Sequence, residues 1–165
     1  MRKIAIVGSP NVGKSVIFNS LTGSYANVSN YPGTTVEVSR GKAKIGKDEF
    51  EVIDTPGTYS LFSITDEERV ARSILLNENP CLILHVVDAK NLERMLPLTL
   101  QFLEAGLAVI LVLNIMDEAR ASGIDIDTKR LEKELNISVV WTISTAGEGI
   151  DILKGKIEEH ARKLC

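Results

Sequence analysis

Residues Ile4-Ala5-Ile6-Val7-Gly8-Ser9-Pro10-Asn11-Val12-Gly13-Lys14-Ser15-Val16-Ile17-Phe18-Asn19-Ser20-Leu21 decide the fold. The apolar run reads as a strand, the glycine-bracketed octet as a loop, and the segment from Val16 to Leu21 as a helix. That order is the context a phosphate-binding loop requires. Glycines let successive backbone N–H groups converge on phosphate oxygens where a Cβ would intrude, and the helix after the loop turns its positive end toward them. In such a loop Lys14 reaches the β- and γ-phosphates and Ser15 offers its hydroxyl to magnesium. Gly8, Asn11, Val12, Gly13 and Val16 complete the nucleotide-binding stretch. A glycine-rich turn that binds nothing does not account for an eight-residue pattern lying between elements of the right kind.

Outward from this stretch, apolar runs alternate with segments of helical period. Strands are expected at 2–7, 36–45, 49–53, 81–88, 107–113 and 138–143, and helices at 13–22, 65–78, 91–105, 128–135 and 149–163. The alternation predicts an α/β fold: a six-stranded, mostly parallel sheet with one antiparallel edge strand and helices on both faces. Residues 82–87 and 107–113 are apolar throughout, as central parallel strands are, whereas 36–45 alternates and suits a strand with one wet face. Ligands in such sheets bind at the carboxyl ends of the strands. The polar stretch from Gly23 to Thr34 is expected to be a loop and a first switch, and the irregular stretch Gly57 to Ser63 a second.

The 165 residues suffice for a single domain with one sizeable core. With 44% hydrophobic residues, 25% charged residues and a net charge of −3, the composition is globular and argues against a chain that coats nucleic acid. The longest apolar runs are about a third of a membrane span. Nothing at the start resembles an export signal, so a cytoplasmic location is expected. Cys81 and Cys165 lie far apart and are expected to be reduced and structural, and His85 and His160 lack partners at metal-ligand spacing.

Asp54-Thr55-Pro56-Gly57 ends the expected strand over 49–53, placing a carboxylate beside the phosphate loop to hold magnesium and the Gly57 N–H near the γ-phosphate. Asn114-Ile115-Met116-Asp117 comes directly after the strand over 107–113. A carboxylate there can accept two hydrogen bonds from a guanine edge, through its ring N1–H and exocyclic amine. Adenine presents neither donor, and a buried acceptor left unpaired by the wrong base discriminates strongly. Ser144-Thr145-Ala146 is placed to close the pocket, with a backbone N–H meeting the guanine oxygen.

Across essentially all 165 residues, this order of motifs resembles a GTPase of the translation-factor-related class. More narrowly, Asn30-Tyr31-Pro32-Gly33-Thr34-Thr35-Val36-Glu37, Asp54 to Leu61, Asn114 to Ala119 and above all Val86-Val87-Asp88-Ala89-Lys90-Asn91-Leu92-Glu93-Arg94 resemble the cytosolic GTPase domain of the ferrous-iron transporter FeoB family. The resemblance implies a GTP- and GDP-binding domain at the N-terminus of a larger membrane protein. It would hydrolyse GTP slowly and regulate iron passage through a permease portion, without binding iron or nucleic acid itself, and a homo-oligomer is compatible with it. The resemblance implies roles for Lys14 and Ser15 at phosphate and magnesium, for Thr35 at magnesium through the first switch, and for Asn114 and Asp117, with Met116 between them, at the base. Asn11 matches an asparagine that helps bind potassium in cation-activated relatives. Lys14, Thr35, Gly57 and Asn11 form the expected catalytic group.

Two departures bear on mechanism. Ile115 stands where many GTPases carry a lysine over the base, and Thr58 where many carry a glutamine that orients the attacking water. Modest base affinity and slow unaided hydrolysis are the expected consequences. Two other functions fit parts of the pattern: a soluble ribosome-assembly or tRNA-modification GTPase, and a nucleotide-sensing module whose hydrolysis is incidental.

Overall fold

The computed structural model describes residues 1–23 and 26–164. Seven strands form one sheet: β1 (Arg2–Val7), β2 (Ala26–Asn30), β3 (Glu37–Ile45), β4 (Asp48–Asp54), β5 (Leu82–Asp88), β6 (Val109–Asn114) and β7 (Ser138–Trp141), in the spatial order β2-β3-β4-β1-β5-β6-β7. The pairs β1·β4, β1·β5, β5·β6 and β6·β7 are parallel, and β3 is antiparallel to both of its neighbours. The helices are α1 (Lys14–Thr22), α2 (Asp66–Asn77), α3 (Leu92–Glu104), α4 (Met116–Ala121), α5 (Thr128–Leu135) and α6 (Ile150–Leu164).

Side-chain alternation sorts the core. Ile4 and Ile6 of β1 face a layer with Ile17, Phe18 and Leu21 of α1 and Leu153 and Ile157 of α6. Ala5 and Val7 face the opposite layer, with Leu75 of α2 and Leu98 and Phe102 of α3. Period two in the strand thus meets period 3.6 in the helices on both faces of the sheet. The α2 start is fixed by a capping box: Thr65 accepts from the Glu68 N–H at 3.1 Å while the Glu68 carboxylate reaches back toward the Thr65 N–H at 3.4 Å.

The sheet corrects the sequence reading in two places. It has seven strands rather than six, and the antiparallel strand β3 is not at the edge, because β2 pairs outside it from Ala26↔Gly41 to Asn30↔Glu37. All five β2 residues are exposed. With no buried face the segment has no hydrophobic alternation, and its sequence reads as loop. The expected loop also includes Ser24 and Tyr25, which lie outside the described residues. Helix α4, six residues long, grows directly out of the base-reading turn and is likewise absent from the expected elements. Cys81 is disulfide-bonded rather than reduced as expected, and Cys165 lies outside the described residues.

Candidate functional site

The carboxyl ends of β1, β4, β6 and β7 and the segments that follow them carry the expected site residues except Thr35, which lies between β2 and β3. At the first position of α1, Lys14 is 9% exposed and its Nζ approaches the Ser9 carbonyl at 3.4 Å. Burial holds its pKa below the usual ammonium value, and nearby Asp54 opposes that shift. Ser15 donates from Oγ to Asp54 Oδ2 at 2.8 Å. The other carboxylate oxygen, Oδ1, is buried with no hydrogen-bond partner among the described residues. Burial raises the Asp54 pKa, against the Ser15 hydrogen bond and the Lys14 charge.

A buried carboxylate oxygen without a partner costs on the order of 1–3 kcal/mol unless something satisfies it. A hydroxyl and a carboxylate, both hard oxygen donors, are what a magnesium ion takes from a protein whose substrate phosphates supply further ligands. Ser15 and Asp54 therefore fit the ion.

Gly57, after Asp54, packs so tightly on the phosphate loop that a Cβ there would lie 2.7 Å from Pro10 Cγ. The next residue, Thr58, is buried: its N–H donates to the Gly8 carbonyl at 3.0 Å and its hydroxyl to the Ser60 carbonyl at 3.0 Å. Asn11 is exposed and left-handed, with φ 64°. Val12 is buried, and Val16 is 37% exposed on α1.

Thr35 is exposed and makes no hydrogen bond to Ser15 or Asp54 among the described residues. It lines a cavity of about 670 Å3 together with Tyr31, Val36 and, from α2, Arg69 and Ser73. The segment around it is a closed turn: the Tyr31 N–H donates to the Val36 carbonyl at 2.8 Å and the Thr34 hydroxyl to the Tyr31 carbonyl at 2.8 Å. Tyr31 Oη and Ser73 Oγ, 3.0 Å apart, tie this turn to α2.

Asn114, at the end of β6, is 1% exposed and joins the two halves of the site. Its Nδ2 donates to the Val12 carbonyl at 2.9 Å and to Ser144 Oγ at 3.0 Å. Its Oδ1 accepts from Thr142 Oγ1 at 2.9 Å and from the Ser144 N–H at 3.1 Å. These bonds use the full capacity of the amide. Gly13 makes room for them, since a Cβ there would sit 2.2 Å from Asn114 Nδ2, and its φ of 93° favours glycine in any case.

Ile115 comes next in the left-handed region, φ 58° and ψ 37°, where a β-branched residue is a true outlier. That conformation turns the chain from strand into α4. Met116 then sits buried among Val87, Leu111 and Leu113, with its N–H on the Thr142 carbonyl at 3.2 Å. Asp117 stands exposed in the first turn of α4. Of the N–H groups over 144–146, that of Ser144 goes to Asn114 and that of Ala146 to the Ile143 carbonyl at 3.0 Å. The Thr145 N–H is the one left without a partner among the described residues. Thr142, fully buried against Asn114, is a site residue that the motifs do not point to. Its signal is a polar residue continuing the apolar run 139–141.

A mostly parallel sheet with a glycine loop feeding α1, a carboxylate at the end of β4 and an Asn-x-x-Asp turn at the end of β6 defines a P-loop GTPase. A family model described as ferrous iron transport protein B matches residues 2–157. The chain belongs to that family, and corresponds to its GTPase domain. Among curated relatives, the Fe(2+) transporter FeoB of Salmonella typhimurium is 41% identical over 161 residues, covering 95% of this chain and 21% of the relative. That of Campylobacter jejuni is 41% identical over 155 residues, covering 94% of this chain and 25% of the relative. The chain thus spans about a fifth to a quarter of the length of these relatives.

Solved structures agree. The cytosolic domain of the T. maritima FeoB iron transporter in a GDP form superposes with a TM-score of 0.94 at 44% identity, covering 99% of this chain and 64% of that one. The FeoB G-domain from Methanococcus jannaschii gives 0.86 at 41% identity, covering 99% of this chain and 100% of that one.

Proposed function

We propose that this chain binds GTP with magnesium and hydrolyses it slowly to GDP and phosphate, acting as a cytoplasmic switch on a membrane permease portion that carries ferrous iron. The observation that carries the reading is the buried, unpartnered Asp54 Oδ1 beside the Ser15 hydroxyl and the Lys14 ammonium. In this reading the amides of the phosphate loop and Lys14 grip the β- and γ-phosphates, and Ser15 and Asp54 hold the ion directly or through water. Magnesium, when bound, neutralises charge on the phosphoryl oxygens. Asp117 accepts from the guanine edge, the Thr145 N–H meets its oxygen, and Asn114 holds both loops in register.

Hydrolysis is slow because the residue after Gly57 has nothing to give: the Thr58 hydroxyl is already bonded to the Ser60 carbonyl. Potassium near Asn11 would supply part of the missing charge stabilisation at the transferring phosphoryl group. Thr35 reaches the ion only once the turn over 31–36 leaves α2, so its order reports the γ-phosphate. The relatives' printed names supply the iron-transport context.

The test is nucleotide binding and turnover of the purified chain with and without magnesium. Asp54→Asn should remove the magnesium dependence of GTP affinity and lower turnover at least tenfold, while GDP still outcompetes ADP. Magnesium-dependent GTP binding that survives in Asp54→Asn would end this reading. Comparison of turnover in potassium and in sodium, with Asn11→Ala alongside, decides the monovalent ion: equal rates throughout would remove it.

A further inference from the structure

We propose that Lys90 is a positioning residue for base recognition, supplying from the end of β5 the positive charge that Ile115 does not bring to the base-reading turn. The proposal rests on the reading of Asp117 as the guanine acceptor. Carboxylates crowd this end of the sheet: Asp88 ends β5 in register with Asn114, and Asp117 and Glu118 open α4 side by side. Asp88 is committed to its own turn, with Oδ1 accepting from the Lys90 N–H at 3.0 Å and Oδ2 from Asn91 Nδ2 at 3.3 Å. The turn directs the Lys90 side chain toward α4, where its ammonium pairs with Glu118 and remains 3.9 Å from Asp88 Oδ2. Glu118 foremost, then Asp88 and Asp117, hold this ammonium above its ordinary pKa, so Asp117 lies within the field of the same cation.

An acceptor for both guanine donors must be ionised and fixed in direction. Its chain neighbour Glu118 is a second anion on a helix of six residues, too short to hold its own orientation. Lys90 neutralises that neighbour and ties the first turn to β5. From the other flank, the Arg120 guanidinium lies over the Trp141 ring, 4.3 Å from its centroid, and fixes α4 to β7. Because Lys90 and Glu118 are 32% and 57% exposed, the effect is modest and salt-sensitive.

The experiment measures dissociation constants of GDP and of IDP, which lacks the 2-amino group, with magnesium at low and high salt. Lys90→Met, Lys90→Arg and Asp117→Asn are compared with the unmodified chain. Lys90→Met should lower the preference for GDP over IDP on the order of two- to fivefold at low salt, with IDP, which keeps the N1–H contact, weakened less than GDP and the loss shrinking at high salt. Lys90→Arg should keep the preference. If Lys90→Met retains it while Asp117→Asn flattens it, the role of Lys90 is overturned and the guanine reading stands. Equal losses of GDP and IDP affinity in Lys90→Met would also overturn the role, as a purely structural one. Wild-type preference in Asp117→Asn would remove the guanine assignment and the proposal together.

Discussion

Asn114 shows how one side chain can govern a site without presenting a free atom to it. Its bonds to Val12, Thr142 and Ser144 bind the phosphate loop to the loop over 144–146. Asn114→Ala would leave the hydroxyls of Thr142 and Ser144 and the Val12 carbonyl without that partner inside the protein, a loss of roughly 2–4 kcal/mol. Urea unfolding should report that loss, and GDP affinity should fall for phosphate and base contacts alike. Thr35 is a contrasting residue, exposed and bonded to neither Ser15 nor Asp54 in this conformation. Thr35→Ala should leave GDP affinity within twofold while lowering single-turnover GTP cleavage about tenfold or more. An equal loss of GDP and GTP-analogue affinity would refute its assignment to the first switch.

At the scale of elements, stability is concentrated where a helix closes a strand face. Phe102 of α3 is fully buried between Ala5, Ile83 and Val109, and meets the His85 ring edge-on at 5.2 Å. Phe102→Ala should cost about 3–5 kcal/mol in a denaturant titration, the range for emptying a packed aromatic site. Thr65→Ala, which breaks the α2 capping box, should cost about 1 kcal/mol. Elements with a buried face are the legible ones: the sequence places α2, α3 and β5 within a residue of their observed ends. What cannot be read lacks such a face or begins in strain. Strand β2 forms through its backbone alone, and α4 starts from a left-handed isoleucine that no local preference announces. The loops of the site are legible by residue type and spacing, because phosphate and guanine chemistry restrict both. The partners of Asn114 are not, since they join positions 28 to 102 residues apart.

For the whole molecule, two buried or paired groups make the folded chain weaker in acid. Glu78, at the end of α2, receives both guanidinium nitrogens of Arg40, at 2.9 and 2.8 Å, and the Lys3 ammonium at 2.8 Å. The Arg40 hydrogen bonds foremost, and Lys3 with them, draw its carboxyl down to about 2 from 4.5. Its folded-state pKa is depressed, so its contribution is complete above pH 4.5 and is lost as pH falls toward 2. His85, wholly buried and bonded through Nδ1 to Thr99 Oγ1 at 2.8 Å, is pushed down to about 3 from 6.5 by burial. Between those values the unfolded chain binds the proton and the folded chain does not, so stability rises with pH across that window. Thermal unfolding monitored from pH 8 to pH 3 should therefore show a decline beginning near 6.5. The double variant His85→Leu/Thr99→Val, which leaves no orphaned hydroxyl, should flatten the upper part of that decline, and Glu78→Gln its lower part.

The outermost row of the sheet carries a consequence of its own. Ala26–Asn30 contributes amide pairings to β3 yet hides none of its side chains. Detaching it would strip away main-chain bonds and expose no oil to water, so the energetic cost is local and the interior layers never learn of it. Amide protons along this border should consequently exchange with deuterium far sooner than those of β1 or β5, through an opening that leaves the rest of the molecule shut.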